Sequence, residues 1–216
     1  MLIKICCIQS EGEVEMALAA GATHLGLVAS MPSGPGPIPD ERIASLVRVL
    51  PAHATPVLLT SRTHPEQIIQ HVRSTGARAV QIVQEVPVAV RNAVRGALPG
   101  VDILQVVHII GPESLEEARR ASVASDYVLL DSGRPSATTR ELGGTGHTHD
   151  WAVSARIVSE VQVPVFLAGG LKPEKVGEAV RAVGPAGVDL CSGIRDADGR
   201  LSSALLSSFV RALGES

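Results

Sequence analysis

The chain has 216 residues, 45% of them hydrophobic but only 2% aromatic, so it is long enough to bury a core of its own and must build that core from Val, Leu, Ile and Ala. A formal net charge of −3 leaves no basic footprint for nucleic acid or an anionic membrane surface, and no apolar run approaches the ~20 residues of a membrane span. Three cysteines, Cys6, Cys7 and Cys191, argue against a disulfide framework and for the cytoplasm, and the opening MLIKICCIQSEGE lacks the pattern of a secretory signal.

Short aliphatic runs and longer amphipathic ones alternate along the chain. LIKIC (2–6) is apolar and rich in β-branched residues, which reads as a buried strand. EGEVEMALAAG (11–21) follows on a helical period and closes on Gly21. HLGLVAS (24–30) is the second strand, and PDERIASLVRVL (39–50) begins with proline and acids, as the first turn of a helix prefers. The third and fourth pairs are TPVLLT (55–60) with HPEQIIQHVRSTG (64–76), and RAVQIV (78–83) with VPVAVRNAVRGAL (86–98). DILQVVHI (102–109) precedes PESLEEARRASVA (112–124), and DYVLLD (126–131) precedes DWAVSARIVSEV (150–161) across a long connection. VPVFLAG (163–169) with KPEKVGEAVRAVG (172–184), and GVDLCSG (187–193) with SSALLSSFVRALG (202–214), complete eight strand–helix units.

A βαβ unit needs roughly 30 residues, so eight units in this length leave mostly short loops and no second domain. Strict alternation with continuously apolar strands predicts an α/β protein with a parallel sheet covered by helices. Eight units close most naturally into one (β/α)8 TIM barrel spanning residues 1–216. The competing arrangement is an open doubly wound sheet. The count of units and the lack of a GxGxxG after the first strand weigh against it.

In a barrel of this kind the chemistry sits at the carboxyl ends of the strands, with phosphate often held after strands 7 and 8. That rule selects Cys6 and Cys7 on the first strand, His108 on the fifth, Asp131 on the sixth, Gly169 and Gly170 on the seventh, and Asp189 to Gly193 on the eighth. Gly169, Gly170 and Gly193 allow backbone N–H groups to approach an anion, and Ser192 adds a hydroxyl; tight turns alone would also explain the glycines. Asp131 ends an apolar YVLL and would have a raised pKa suited to a general acid, though its position alone favours a helix cap or a structural ion pair. Cys6 and Cys7 are consecutive on a strand and should face opposite ways, Cys6 into the lumen on the face of Lys4 and Cys7 out of it, packed against the helices or at the rim. The glycine-rich loop Gly143 to Trp151 is a lid or an anion cradle, and its His147 and His149 have no third ligand at a metal-binding spacing, so no metal is expected.

KIC at 4–6, LLD at 129–131, GGTG at 143–146 with DW at 150–151, LAGGL-x-P at 167–173 with Val176, and GVD-x-x-SG at 187–193 occur in this order. Together they resemble phosphoribosylanthranilate isomerase, the (β/α)8 enzyme of tryptophan synthesis, from Lys4 to Gly193. The resemblance implies an Amadori rearrangement of N-(5-phosphoribosyl)anthranilate without a cofactor. It makes Cys6 the general base and Asp131 the general acid. It also places the 5′-phosphate on Gly170, Ser192 and Gly193, with Gly144 and Gly146 beside them and Gly169 and Asp189 in the same substrate-binding group.

The chain departs from the family at the half that would recognise the aromatic acid. Cys7 stands where KICG has Gly. The segment Ser30 to Pro37 has no arginine where the family has an SPR-like segment, Gln81-Ile82-Val83-Gln84 replaces QLHG, and His149 takes the place of the aromatic residue before DW. Arg62, His108 and Arg134 are the candidates to replace the missing contacts to the carboxylate. The partner is therefore a small phosphorylated sugar, either the family substrate or another phosphoribosyl amine. A sugar-phosphate-binding barrel without turnover is the alternative of a different class, and a Schiff-base aldolase would have only Lys4 as its strand lysine. Monomer and homodimer both remain open.

Overall fold

A computed structural model describes residues 1–132 and 150–214 of the chain. The aliphatic runs form strands β1 (Leu2–Ile5), β2 (His24–Val28), β3 (Thr55–Thr60), β4 (Ala79–Ile82), β5 (Asp102–His108), β6 (Tyr127–Asp131), β7 (Val165–Leu167) and β8 (Gly187–Leu190). The amphipathic stretches form helices α1 (Glu11–Ala19), α2 (Asp40–Val49), α3 (Pro65–Thr75), α4 (Val88–Ala97), α5 (Ser114–Ser122), α6 (Trp151–Glu160), α7 (Pro173–Val183) and α8 (Ser203–Gly214). Each strand pairs in parallel with its sequence neighbours, and β1 pairs with β8 from Leu2↔Gly187 to Ile5↔Leu190, closing the barrel. The (β/α)8 expectation is therefore met.

Local chemistry starts the helices where the sequence suggests. Ser10 accepts a hydrogen bond from the Glu13 amide at 3.2 Å to cap α1, satisfying a donor the first turn leaves free. α3 and α7 begin on Pro65 and Pro173, whose fixed φ suits a first helical residue.

Alternation along each strand divides the buried residues into two sets. Ile5, Leu25, Leu27, Leu58, Val80 and Ile82 point outward and pack under the helices, which fixes each helix against its strands by aliphatic burial. Val57, Leu59, Ala79, Leu104, Leu129 and Phe166 point inward and fill the lumen. His24 meets Tyr127 and Phe166 edge-on, and those two rings are tilted against each other, all toward the amino ends of their strands with ring centroids 5.2 to 5.9 Å apart. The lumen is thus plugged at that end, and the polar inward residues collect toward the carboxyl end. No helix among the described residues is long and apolar enough to cross a membrane.

Candidate active site

At the carboxyl ends of the strands lies a cavity of about 630 Å³, counting its open mouth. Cys6, Asp131 and Asp189 reach it from β1, β6 and β8, and Gly169, Gly170, Ser192 and Gly193 line it from the turns after β7 and β8. A Cβ on Gly193 would overlap the carbonyl oxygen of Leu171, so only glycine allows these two turns to close on each other. The opposite wall is apolar, formed by Val28, Met31, Leu59 and Val83 from the ends of β2, β3 and β4. The Gln81 side chain also lines the cavity, and its buried carbonyl oxygen has no partner among the described residues.

Below the cavity floor a lysine lies wholly inside the barrel. Lys4 Nζ donates to Asp189 Oδ1 at 2.8 Å and is fully buried. Burial lowers its affinity for the proton, but the charges of Asp189 and Cys6 outweigh that and raise it. Burial pushes Asp189 up to about 7, against the pull of Lys4. Gly26 on β2 makes room for this group: a Cβ there would stand 3.0 Å from the Cys6 sulfur and 3.1 Å from Lys4 Nζ.

The two candidate proton-transfer groups are displaced in opposite directions. Hydrogen bonds from the thiols of Cys191 and Cys7, with the charge of Lys4, hold the Cys6 thiol well below its ordinary value despite burial. Burial raises the Asp131 carboxyl, with His108 acting against it; its Oδ1 accepts the Ser132 amide at 2.7 Å. A thiolate and a carboxylic acid in one pocket form a base and an acid available together.

Cys7 does not turn away as strand alternation predicts. β1 ends at Ile5, and Cys7 adopts a left-handed backbone, φ +63°. This swings its side chain back to the cavity, where it lines the wall beside Cys191. Arg62 is not among the residues lining the cavity. Its guanidinium donates to the Gln67 carbonyl at 3.1 Å and lies 3.7 Å from Asp40. His108 is buried behind the wall with Nε2 3.3 Å from the Val83 carbonyl, and its Nδ1 has no partner among the described residues. Gly144, Gly146, Arg134, His147 and His149 lie outside the described residues. Asp150, the acid of the DW pair, caps α6 by accepting from the Ala152 amide at 2.9 Å. Among the described residues no group of three or more His, Cys, Asp or Glu is arranged to hold a metal.

Two residues not singled out from the sequence support the end of β1. Arg195 donates to the carbonyl oxygens of Cys6, at 3.1 Å, and Cys7. It also pairs with buried Glu13 at 2.9 Å, whose second oxygen accepts from the Gln9 amide. The turn after β8 and the start of α1 thereby clamp the end of β1. Only the fold brings residues 13 and 195 together, so no local pattern announces them.

The chain matches a family model described as N-(5′-phosphoribosyl)anthranilate isomerase over residues 3–212. It is 36% identical to N-(5′-phosphoribosyl)anthranilate isomerase 2 of Methanosarcina mazei, across 97% of this chain and 92% of that one. The crystal structure of the Thermus thermophilus phosphoribosyl anthranilate isomerase superposes with a TM-score of 0.84 at 26% identity, covering 100% of this chain and 99% of that one. Another phosphoribosyl anthranilate isomerase, solved in complex with reduced 1-(o-carboxyphenylamino)-1-deoxyribulose 5-phosphate, shares the fold with a TM-score of 0.81 at 22% identity over both full chains.

Proposed function

The chain belongs to the phosphoribosylanthranilate isomerase family, whose reaction is the rearrangement of N-(5-phosphoribosyl)anthranilate to the carboxyphenylamino-deoxyribulose phosphate, and we propose that Cys6 and Asp131 are the base and acid of that reaction here. The observation that carries this reading is their opposite displacement in one cavity, Cys6 toward thiolate and Asp131 toward the protonated acid.

The steps follow from those states. Asp131 gives its proton to the furanose ring oxygen, the C–O bond breaks, and the sugar opens to an iminium. The Cys6 thiolate takes the proton from the adjacent carbon, and the electron pair left behind neutralises the iminium to give an enolamine. Tautomerisation yields the aminoketone. The backbone of Gly169 and Gly170, with Ser192 and Gly193, cradles the 5′-phosphate opposite the apolar wall and so fixes the reacting carbons between the two groups. Three unpaired thiols at the mouth suit a reducing cytoplasm.

A second reading, turnover of another phosphoribosyl amine, is favoured by one feature. None of the described residues lining the cavity is Lys or Arg, so none of them offers a fork for the anthranilate carboxylate. Anthranilate fluorescence decay with freshly made phosphoribosylanthranilate tests both readings. Cys6→Ser and Asp131→Asn should each lower kcat about 10²- to 10⁴-fold. Activity within a few-fold of wild type in either variant would remove that residue from its role. Faster turnover of the phosphoribosyl amine of aniline, which lacks the carboxylate, would establish the second reading.

A further inference from the structure

Three thiols meet at the end of β1, and isomerisation by an acid and a base uses only one of them. Cys7 Sγ and Cys191 Sγ stand 2.7 Å apart although 184 residues separate them in sequence. Both line the cavity, and Cys6 lines it beside them. Cys7 holds its position with a left-handed backbone, a conformation that strains any residue with a Cβ. The Pro35 carbonyl holds its sulfur in place by accepting from it at 3.5 Å. A structural need for a turn there would be met more easily by glycine, so the sulfur itself needs a use.

We propose that Cys7 and Cys191 are a resolving dithiol for Cys6, converting an oxidised Cys6 into a Cys7–Cys191 disulfide and returning Cys6 as a free thiolate. The oxidant is a hydroperoxide. The Cys6 thiolate attacks one peroxide oxygen, the O–O bond breaks, and the leaving hydroxide takes a proton to become water, leaving Cys6 as the sulfenic acid. The Cys191 sulfur then attacks the Cys6 sulfur. The S–O bond breaks, and the departing hydroxide leaves as water with the thiol's proton. Cys7 next attacks the Cys191 sulfur, the Cys6–Cys191 bond breaks, and Cys6 departs as thiolate. The proton released by Cys7 balances the one consumed in the first step. In sum, two thiols and one peroxide give one disulfide and two waters.

The energetics favour this order. Cys6 is the thiol held lowest of the three and so the first to meet peroxide, whereas Cys7 is held as a thiol by its contacts with Cys191 and Cys6, and Cys191 by its contact with Cys6, with Cys7 acting against it. Cys6 is also a good leaving group in the last exchange, because the charge of Lys4 stabilises its departing thiolate. A disulfide bond of about 2.05 Å needs only a small approach of two sulfurs already in contact. The inference needs Cys6 only as a thiolate and is independent of its part in isomerisation.

The test treats the intact enzyme with dilute hydrogen peroxide, alkylates the remaining thiols, and maps unreduced peptides, fragmenting between Cys6 and Cys7. The expected product joins Cys7 to Cys191, with Cys6 alkylated. After dithiothreitol the wild type should recover its activity, whereas Cys191→Ser should lose several-fold more of it, with Cys6 found as the sulfinic acid. A stable bond from Cys6 to either neighbour would overturn the proposal. So would sulfinic Cys6 in the wild type, or equal recovery in the two proteins. The peptide map is read without any substrate, so it stands apart from the assignment of the base.

Discussion

Lys4 shows how one side chain sets the state of the site. An ammonium wholly inside the lumen has lost its water, and its partner Asp189 only partly offsets that loss. What it contributes is charge beside Cys6, where it stabilises the thiolate over the thiol. The acid limb of kcat/KM reports protonation of the base in free enzyme. Lys4→Met should therefore move that limb to higher pH, since Cys6 would take its proton sooner as pH falls. Asp189, already pushed up to about 7, can go neutral when its partner is gone, which keeps the variant folded near neutral pH. The pH–rate profile and the ultraviolet absorbance of the thiolate both measure the shift; an unmoved limb would mean that Lys4 serves only the fold. Residues of this kind are poorly legible in sequence. Cys6, Asp131 and the cavity glycines could be read because strand ends and motif spacing mark them. The Lys4–Asp189 pair spans 185 residues and leaves no local trace. The inward turn of Cys7 depends on a left-handed backbone that no neighbouring residue signals.

At the scale of elements, the eight strands and eight α-helices of the described residues were legible because apolar periodicity and capping residues agree. The differences fall where strands stop. GVDLCSG (187–193) reads as one apolar run, yet β8 ends at Leu190 and Ser192–Ile194 forms a short 3-10 turn. β7 likewise stops at Leu167, before Gly169 and Gly170. The backbone leaves the ladder there, which frees N–H groups for the cavity. α4 carries a different surprise: Arg91 is fully buried among the aliphatic residues under the helix. Its guanidinium donates to the carbonyls of Val86, Arg120 and Val123 and to Gln105 Oε1. It thus ties α4 to the end of β4's loop, to the last turn of α5 and to β5. Arg91→Met keeps the stem's volume but strands these acceptors, each of which costs roughly 1–3 kcal/mol when buried without a donor. A loss of about 3 kcal/mol in urea unfolding should follow, with kcat unchanged well below the transition. A loss under about 1 kcal/mol would show that water replaces the guanidinium.

For the whole molecule, closure of the barrel follows from counting eight equivalent units, but what fills its amino end does not. There the inward face offers His24 beside Tyr127 and Phe166, a plug in which a titratable ring does the work of an aromatic one. Burial, and then the charge of Lys4, pushes His24 down to about 4, from an ordinary 6.5. Between these values the unfolded chain binds a proton that the native state refuses, so this residue's contribution is complete above pH 6.5 and falls away as pH drops toward 4. Asp189 acts in the opposite sense. Its native value near 7 against an ordinary 3.8 means that the folded state takes up the proton first, so acidification through that window favours the fold. Both groups lie in the lumen around Lys4, and their opposed slopes partly cancel in the wild-type curve. Substituting His24 exposes its share, because every other group enters the variant and the wild type alike. His24→Gln should lose stability at pH 7 through poorer packing, then recover relative to wild type by on the order of 2 kcal/mol as pH falls to 4, less than the full shift implies because water screens part of it. Parallel denaturation series across that range measure the difference directly. A gap between the two proteins that stays constant with pH would mean that the His24 ring takes its proton in the folded barrel as readily as in the open chain.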